Sequence, residues 1–335
     1  MKSVSVTDVA VRAGVSVGTV SNVLNRPDKV SARRLELVNQ AIAELGFVRN
    51  DAARQLRAGS SRAIGLVILD VRNPFFTELL RGAEAAADEH GSAILLGNSD
   101  QDPGRESFYL DLFEEQRVRG VLLSPIGDVR DRMTRLRARG IPAVLVDRRV
   151  DDAGASSVSV DDVAGGRMAV EHLLEQGRRR IAFVGGPLSL QQVADRLEGA
   201  RQAIQTTTDA MLEVIECPQL TILDGRAVGN AIVARRARDM PDAVFAANDL
   251  VALGLVQSFV MTRGLAVPDD VAVIGYDDID FASSAVVPIS SVRQPTELIG
   301  RTAVEMIIEQ IDDETAVVRD VVYQPELVVR QSTIG

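Results

Sequence analysis

Residues 6–24 read VTDVAVRAGVSVGTVSNVL, and this stretch decides the fold of the N-terminal end. Val6, Val9 and Ala10 recur at the spacing of one helix face. Gly14 follows Ala13, where a tight turn needs a residue that tolerates positive φ. Ser16 is placed to N-cap a second helix, and Val20, Val23 and Leu24 on that helix share a face turned towards the first. Two short helices joined by a glycine turn form a helix-turn-helix, with Val17, Gly18, Thr19, Ser21 and Asn22 on the outward side of the second. Asn25-Arg26-Pro27 stops that helix. A third begins after Ser31, keeps Leu35, Val38, Ile42 and Leu45 inward, and ends at Gly46.

That periodicity alone would describe any small helical bundle, so charge has to decide. The 335-residue chain carries a formal charge of -10, which taken whole argues against nucleic acid. Residues 1–60, however, hold nine Lys/Arg against five Asp/Glu, a net of +4, and leave -14 for the remainder. A basic head on an acidic body is the asymmetry expected when only the head meets a polyanion. The polar outer face of the second helix points the same way.

The length predicts two or three domains. Hydrophobic residues at 46 % with aromatics at 4 % and no Trp suit an α/β core built from Ala, Val and Leu. The single cysteine, Cys217, forms no intrachain disulfide, and the start MKSVSVTDVA lacks the apolar stretch of a secretion signal, so a cytoplasmic protein is expected. No apolar run approaches the roughly 20 residues of a membrane span.

Beyond Arg62 the pattern changes. AIGLVILD, SAILLGNSD, GVLLSP, PAVLVDR, SSVSVDD, RIAFVGG, AVFAAND and VAVIGYDD are buried-strand-like runs, most of them followed by amphipathic helical stretches. Such alternation predicts parallel sheets with helices on both faces, which bind ligands beyond the carboxyl ends of their strands. The runs end in Asp70, Asn98, Ser124, Asp147, Asp161, Asn248 and Asp277. Any one of these is a helix cap. As a set, with Asn248-Asp249 and Asp277-Asp278 converging, they predict a polar crevice.

The segments TDVAVRAGVSVGTVSNVLN and VSARRLELVNQAIAELGFVRNDAARQLRAG resemble the DNA-binding head and hinge of the lac-repressor family. IGLVILDVRNPFF, VDDVAGGRMAVEHLLEQGRRRIAFVGG, DRLEGARQAI, FAANDLVALG, VAVIGYDDID and ISSVRQP resemble that family's sensor domain, itself similar to periplasmic sugar-binding proteins. The resemblance implies an all-α head over 1–47, a hinge helix over 48–60 and an α/β sensor domain over 61–335. The sensor would have two Rossmann-like lobes, 61–160 with 289–321 and 161–288 with 322–335, joined by crossings near Val160, Pro288 and Val321.

It also implies a sequence-specific transcriptional repressor that binds a near-palindromic operator as a homodimer. The effector is expected between the lobes and sugar-like, with no cofactor, metal or membrane involved. The chain ends soon after Arg330 without a leucine heptad, so a dimer rather than a tetramer is expected. Carried over residue by residue, DNA contacts fall on Thr7, Ser16, Val17, Gly18, Thr19, Ser21, Asn22, Asn25 and Ser31, and in the hinge on Asn50, Ala53 and Leu56. Val17, Gly18 and Asn22 would read bases, and Leu56 would wedge into the minor groove.

Effector contacts fall on Asn73, Phe75, Asp147, Arg196, Asn248, Asp277 and Gln294. Arg196 offers a planar fork of donors and the carboxylates accept hydroxyls, a pairing suited to a polyol. The competing reading of Arg196 is a salt bridge to Asp195 or Glu198. Many sugar-binding relatives carry an aromatic ring where this chain has Asp224-Gly225-Arg226, so stacking would have to come from Phe75, Phe76 or Phe281. An enzyme is not expected. The only histidines are His90 and His172, no nucleophile elbow or phosphate loop occurs, and Gly185-Gly186-Pro187 cannot serve as a dinucleotide fingerprint. A free-standing solute-binding protein would need a secretion signal and no DNA-binding head.

Overall fold

Ser5 starts helix α1 (Val6–Ala13) by accepting the Asp8 N–H on its hydroxyl, while the Asp8 carboxylate accepts the Ser5 N–H. Two of the amides that every helix start leaves orphaned are thereby satisfied. The computed structural model describes residues 4–47, 61–148, 154–313 and 315–334. The chain divides into two units, Met1–Ser60 and Ser61–Gly335. In the first, Gly14 ends α1 at φ 65°. Ser16 caps α2 (Val17–Asn25) by accepting from the Thr19 N–H, and α3 (Ala32–Leu45) ends on left-handed Gly46. Val9, Val20 and Val38, one from each helix, are fully buried at the centre, and Arg12 of α1 is ion-paired with Glu44 of α3.

Val17, Gly18 and Asn22 stand exposed on α2, as the spacing predicts. Thr19 and Ser21 are only half exposed. They flank that face, and each is engaged locally: Thr19 Oγ1 lies 2.9 Å from Ser16 Oγ, and Asn25 Nδ2 donates to the Ser21 carbonyl at 2.8 Å. Thr7 is exposed on α1. Ser31 precedes α3 but makes no side-chain cap. The expected hinge contacts Asn50, Ala53 and Leu56 lie outside the described residues.

In the second unit the strands are β1 (Ala63–Ile68), β2 (Ala93–Asn98), β3 (Gly120–Leu123), β4 (Ala143–Val146), β5 (Ser156–Val160), β6 (Arg180–Gly185), β7 (Met211–Glu216), β8 (Ala243–Ala246), β9 (Ala272–Asp277), β10 (Ser290–Arg293), β11 (Asp320–Tyr323) and β12 (Glu326–Val328). The longer helices between them are α4 (Pro74–Glu89), α5 (Pro103–Glu115), α6 (Arg130–Ala138), α7 (Asp162–Glu175), α8 (Gln191–Gln205), α9 (Ile222–Val233), α10 (Asp249–Arg263) and, after the one-turn α11 (Asp280–Ser283), α12 (Thr296–Asp312). Two six-stranded sheets result, ordered β11-β5-β4-β3-β1-β2 and β12-β10-β9-β8-β6-β7. Among the described residues every pairing is parallel except β10 with β12. Strands β3, β4 and β8 are buried along their whole length, as sheets covered by helices on both faces require.

The chain passes between lobes three times. The first passage follows β5 at Asp161, close to the expected Val160. The second lies at Gln294-Pro295 and not at Pro288, because β10 hydrogen-bonds in parallel to β9 and so belongs to the second lobe. The third lies at Gln324-Pro325, beyond Val321, because β11 pairs with β5 through Tyr323. Pro288 lies in the loop before β10, but the long-range strand ladder decides where a lobe ends.

One close approach sets up the site. A Cβ at Gly166 would run into the Arg196 carbonyl oxygen, and one at Gly199 into the Val163 carbonyl oxygen. Only with glycine at both positions do α7 and α8 cross backbone to backbone. That crossing brings Asp162, at the start of α7, against Arg196 on α8.

Candidate functional site

Asp147 follows β4 in the first lobe and Asp277 ends β9 in the second. Both backbones are left-handed, with φ 63° and 99°. Such conformations cost a non-glycine residue about 1–3 kcal/mol and cluster at functional sites. Each carboxylate is buried and is reached from the opposite lobe. Gln192 Nε2 on α8 donates to Asp147 Oδ2 at 2.8 Å, and Asn73 Nδ2 donates to Asp277 Oδ2 at 3.2 Å.

Arg196 sits between them at 5 % exposure. Its Nε donates to Asp162 Oδ1 at 2.8 Å and its Nη1 to the Ala247 carbonyl at 2.7 Å. A second carboxylate, Asp277 Oδ1, lies 3.8 Å away, and the guanidinium carbon stands 3.7 Å over the Tyr276 ring. The ion pair is therefore with Asp162, not with Asp195 or Glu198. Those two point elsewhere on the helix, where Asp195 accepts from Gln191 at 2.6 Å and Glu198 from Gln202 at 3.2 Å.

One guanidinium thus faces three buried carboxylates. Burial opposes the charge on Arg196, but Asp162 and the neighbouring acidic groups outweigh it and raise its pKa. Burial, reinforced by Asp162, holds Asp147 up to about 8. Asp277 is pushed up to about 6, again chiefly by burial. Desolvation dominates wherever a carboxylate leaves water without a full set of donors. The arrangement is short of donors and rich in acceptors.

A cavity of about 40 Å³ lies between the lobes, lined by Asn73, Phe75, Asp147, Arg196, Asn248 and Asp277, all of them expected effector contacts. Gln294 stands directly behind, where its Nε2 donates to Asp277 Oδ1 at 2.9 Å. Asn73 and Asn248 also cap α4 and α10 through their side-chain oxygens, so the capping role and the placement at the crevice coexist. Phe75 and Phe76 pack edge to face with ring centroids 5.0 Å apart, and both line the cavity. Phe281 does not, and is 56 % exposed.

Several other strand-end residues turn away from this cavity. Asp249 is consumed inside the second lobe, accepting from Ser291 Oγ at 2.7 Å and from the Ile279 amide at 2.9 Å. Asp278 is held by Arg293 and Arg330, Asp70 by Arg72, and Asn98 accepts from the Val71 amide at 3.1 Å. The residues missed in the sequence are Gln192 and Asp162. Gln192 lies one helical turn before Arg196, so i,i+4 spacing would have placed both on one face. Asp162 follows directly on Asp161, the residue that caps α7. Among the described residues no group of His, Cys, Asp and Glu is arranged to hold a metal ion, and no helix is long and apolar enough to cross a membrane.

Residues 5–50 match the family of bacterial regulatory proteins named for lacI, and residues 170–333 match a periplasmic binding protein-like domain. The ribose operon repressor of Halalkalibacterium halodurans is 34 % identical over 99 % of this chain and 97 % of its own. The transcriptional regulator CelR of Thermobifida fusca is 36 % identical over 97 % and 96 %. The lac repressor dimer solved on its operator with an anti-inducer superposes with a TM-score of 0.84 at 28 % identity, covering 100 % of both chains. A helix-turn-helix head ahead of a two-lobed binding domain defines a DNA-binding transcriptional regulator with an effector site. The chain belongs to the lacI family of bacterial regulatory proteins.

Proposed function

We propose that this protein is a cytoplasmic repressor that binds a near-palindromic operator as a homodimer and is controlled by a small sugar-like effector held between its lobes. The observation that carries the reading is the convergence of Asn73, Phe75 and Asp147 from one lobe with Arg196, Asn248 and Asp277 from the other on a single buried cavity. A ligand gripped by both sets binds one lobe arrangement more tightly than another, and that differential affinity is what shifts the equilibrium. The first lobe continues directly from residues 48–60, so a changed lobe angle in a dimer alters whether two hinges can pair in a minor groove, with Leu56 as the wedge.

In this reading Val17, Gly18 and Asn22 read bases while Thr19 and Ser21 touch phosphates. The experiment is operator binding by fluorescence anisotropy, with the operator selected from randomised DNA and sugars titrated in. The expected result is a saturable change in operator affinity with at least one sugar. Operator affinity indifferent to every sugar that binds the protein would refute the coupling.

A further inference from the structure

Gln192 forms part of a wall shared by two cavities. On one side is the interlobe cavity already described. On the other, still between the lobes, is a larger one of about 210 Å³, to which the first lobe contributes Arg148 and Ser159 and the second Asp162, Gln191 and Asp195. Asp147 and Gln192 line both. The Gln192 side chain is 5 % exposed, spends its Nε2 on Asp147, and among the described residues finds no hydrogen-bond partner for its Oε1. Buried amide oxygens are almost always paired, so an unsatisfied one at a cavity wall marks a place where a donor is meant to arrive.

The larger cavity's other groups ask for the same thing. Asp161, Asp162 and Asp195 supply acceptors. Arg148 is half committed, donating through Nη1 to the carbonyls of Ile126 at 3.3 Å and Gly127 at 3.1 Å, while its Nε has no partner among the described residues. Hydroxyl groups satisfy such a wall because each both donates and accepts. A phosphate or carboxylate would be set against the acidic side chains with Arg196 already engaged by Asp162, and like-charge juxtaposition opposes binding. Each cavity alone is smaller than the roughly 300–1,000 Å³ of usual ligand pockets, so the larger has room for about one small polar ring.

We infer that the larger cavity is a second compartment of the effector site, taking the second hydroxyl-bearing ring of an uncharged two-unit saccharide, with the Gln192 amide as the contact shared by both compartments. The inference rests on the interlobe effector reading and narrows it. The smaller compartment, about 40 Å³ with the lobes closed, takes the first ring as the Asp147–Gln192 and Asn73–Asp277 hydrogen bonds break and the lobes part.

The test is isothermal titration of the full-length protein with glucose, galactose and xylose, with cellobiose, maltose, lactose and xylobiose, and with glucose 6-phosphate. At least one disaccharide should bind tighter than its constituent monosaccharides by about tenfold, the worth of one or two added polar contacts, and the sugar phosphate should not bind. Of the two cavities, Asp195 lines the larger and not the smaller. Asp195→Phe, which fills that cavity, should abolish the disaccharide preference, and Asp195→Asn should reduce it. Monosaccharides binding as tightly as their disaccharides, or a preference that survives Asp195→Phe, overturns the inference while leaving the interlobe site intact. Tightest binding by glucose 6-phosphate overturns the uncharged assignment. If no sugar of either size binds, the interlobe effector reading itself fails, and the second compartment with it.

Discussion

Asn73 Nδ2 donates to Asp277 Oδ2 at 3.2 Å across 204 positions of chain, tying the start of α4 in one lobe to the end of β9 in the other. The same Asn73 accepts the Phe75 amide on its Oδ1, so a local helix cap fixes the amide that reaches across. With Gln192–Asp147 it holds the two lobes together at the acceptor-rich centre of the site. A ligand that replaces these bonds with its own does so at groups already desolvated and oriented, which limits the entropy cost of binding.

Arg196 and Asp162 act as one unit, so their substitutions should not add. Arg196→Ala leaves Asp162 buried without its counter-ion and should cost about 3–5 kcal/mol of stability. Asp162→Asn in the Arg196→Ala background should restore much of that loss, because the stranded charge is gone. Operator affinity without ligand should return with the fold while the effector response stays lost. A thermal-unfolding double-mutant cycle measures the coupling, and an additive cycle contradicts the pairing.

Asp147 makes the ligand-free protein pH-sensitive in a defined direction. Its folded pKa, about 8, is raised above the ordinary 3.8. Its contribution to stability is therefore fully present below about 4 and is lost as pH rises to about 8. Asp277 adds a loss of the same sign that is complete by about pH 6. Asp147→Asn should flatten the fall in unfolding temperature between pH 6 and 8 relative to the parent. Parallel pH profiles for parent and variant count against a raised Asp147.

Gly199→Ala should harm effector binding from a distance. Its new methyl meets the Val163 carbonyl oxygen and forces α7 from α8, a strain of about 1–3 kcal/mol. Because Asp162 and Arg196 ride on those two helices, ligand affinity should fall more steeply than unfolding temperature. Calorimetry of ligand binding alongside thermal unfolding separates the two effects.

Gly18 and Asn22 should behave as surface residues of the head. A Cβ at Gly18 meets only Ser16 Oγ at 3.7 Å, so Gly18→Ala should fold normally and gain up to about 1 kcal/mol from helix propensity, while changing the preferred operator bases. Asn22→Ala should lower specific affinity by about 1–3 kcal/mol and relax one base pair in each half-site. Selection on randomised DNA measures both, and a consensus identical to the parent's would exclude base reading at that position.

The head was legible in the sequence because its determinants are local. Ser5, Ser16, Gly14 and Gly46 act within four residues of themselves, and the buried valines follow helical spacing. The strands and their polar ends were legible too, since burial on both faces leaves unbroken apolar runs. Chain order along β4, β8 and β9 then placed Asp147, Asn248 and Asp277 at carboxyl ends. What the sequence could not resolve is which of several equivalent acids or amides meet. Arg196 has Asp195 beside it and Glu198 two positions on, yet pairs with Asp162, 34 positions away. Gln192 finds Asp147 across 45, and β10 joins the second lobe by pairing with β9 rather than by any signal at Pro288. These choices belong to tertiary structure, because hydrogen-bond partners in a buried site are set by how closely α7 and α8 approach through Gly166 and Gly199 and by which sheet edge a strand completes. Neither leaves a periodic trace along the chain.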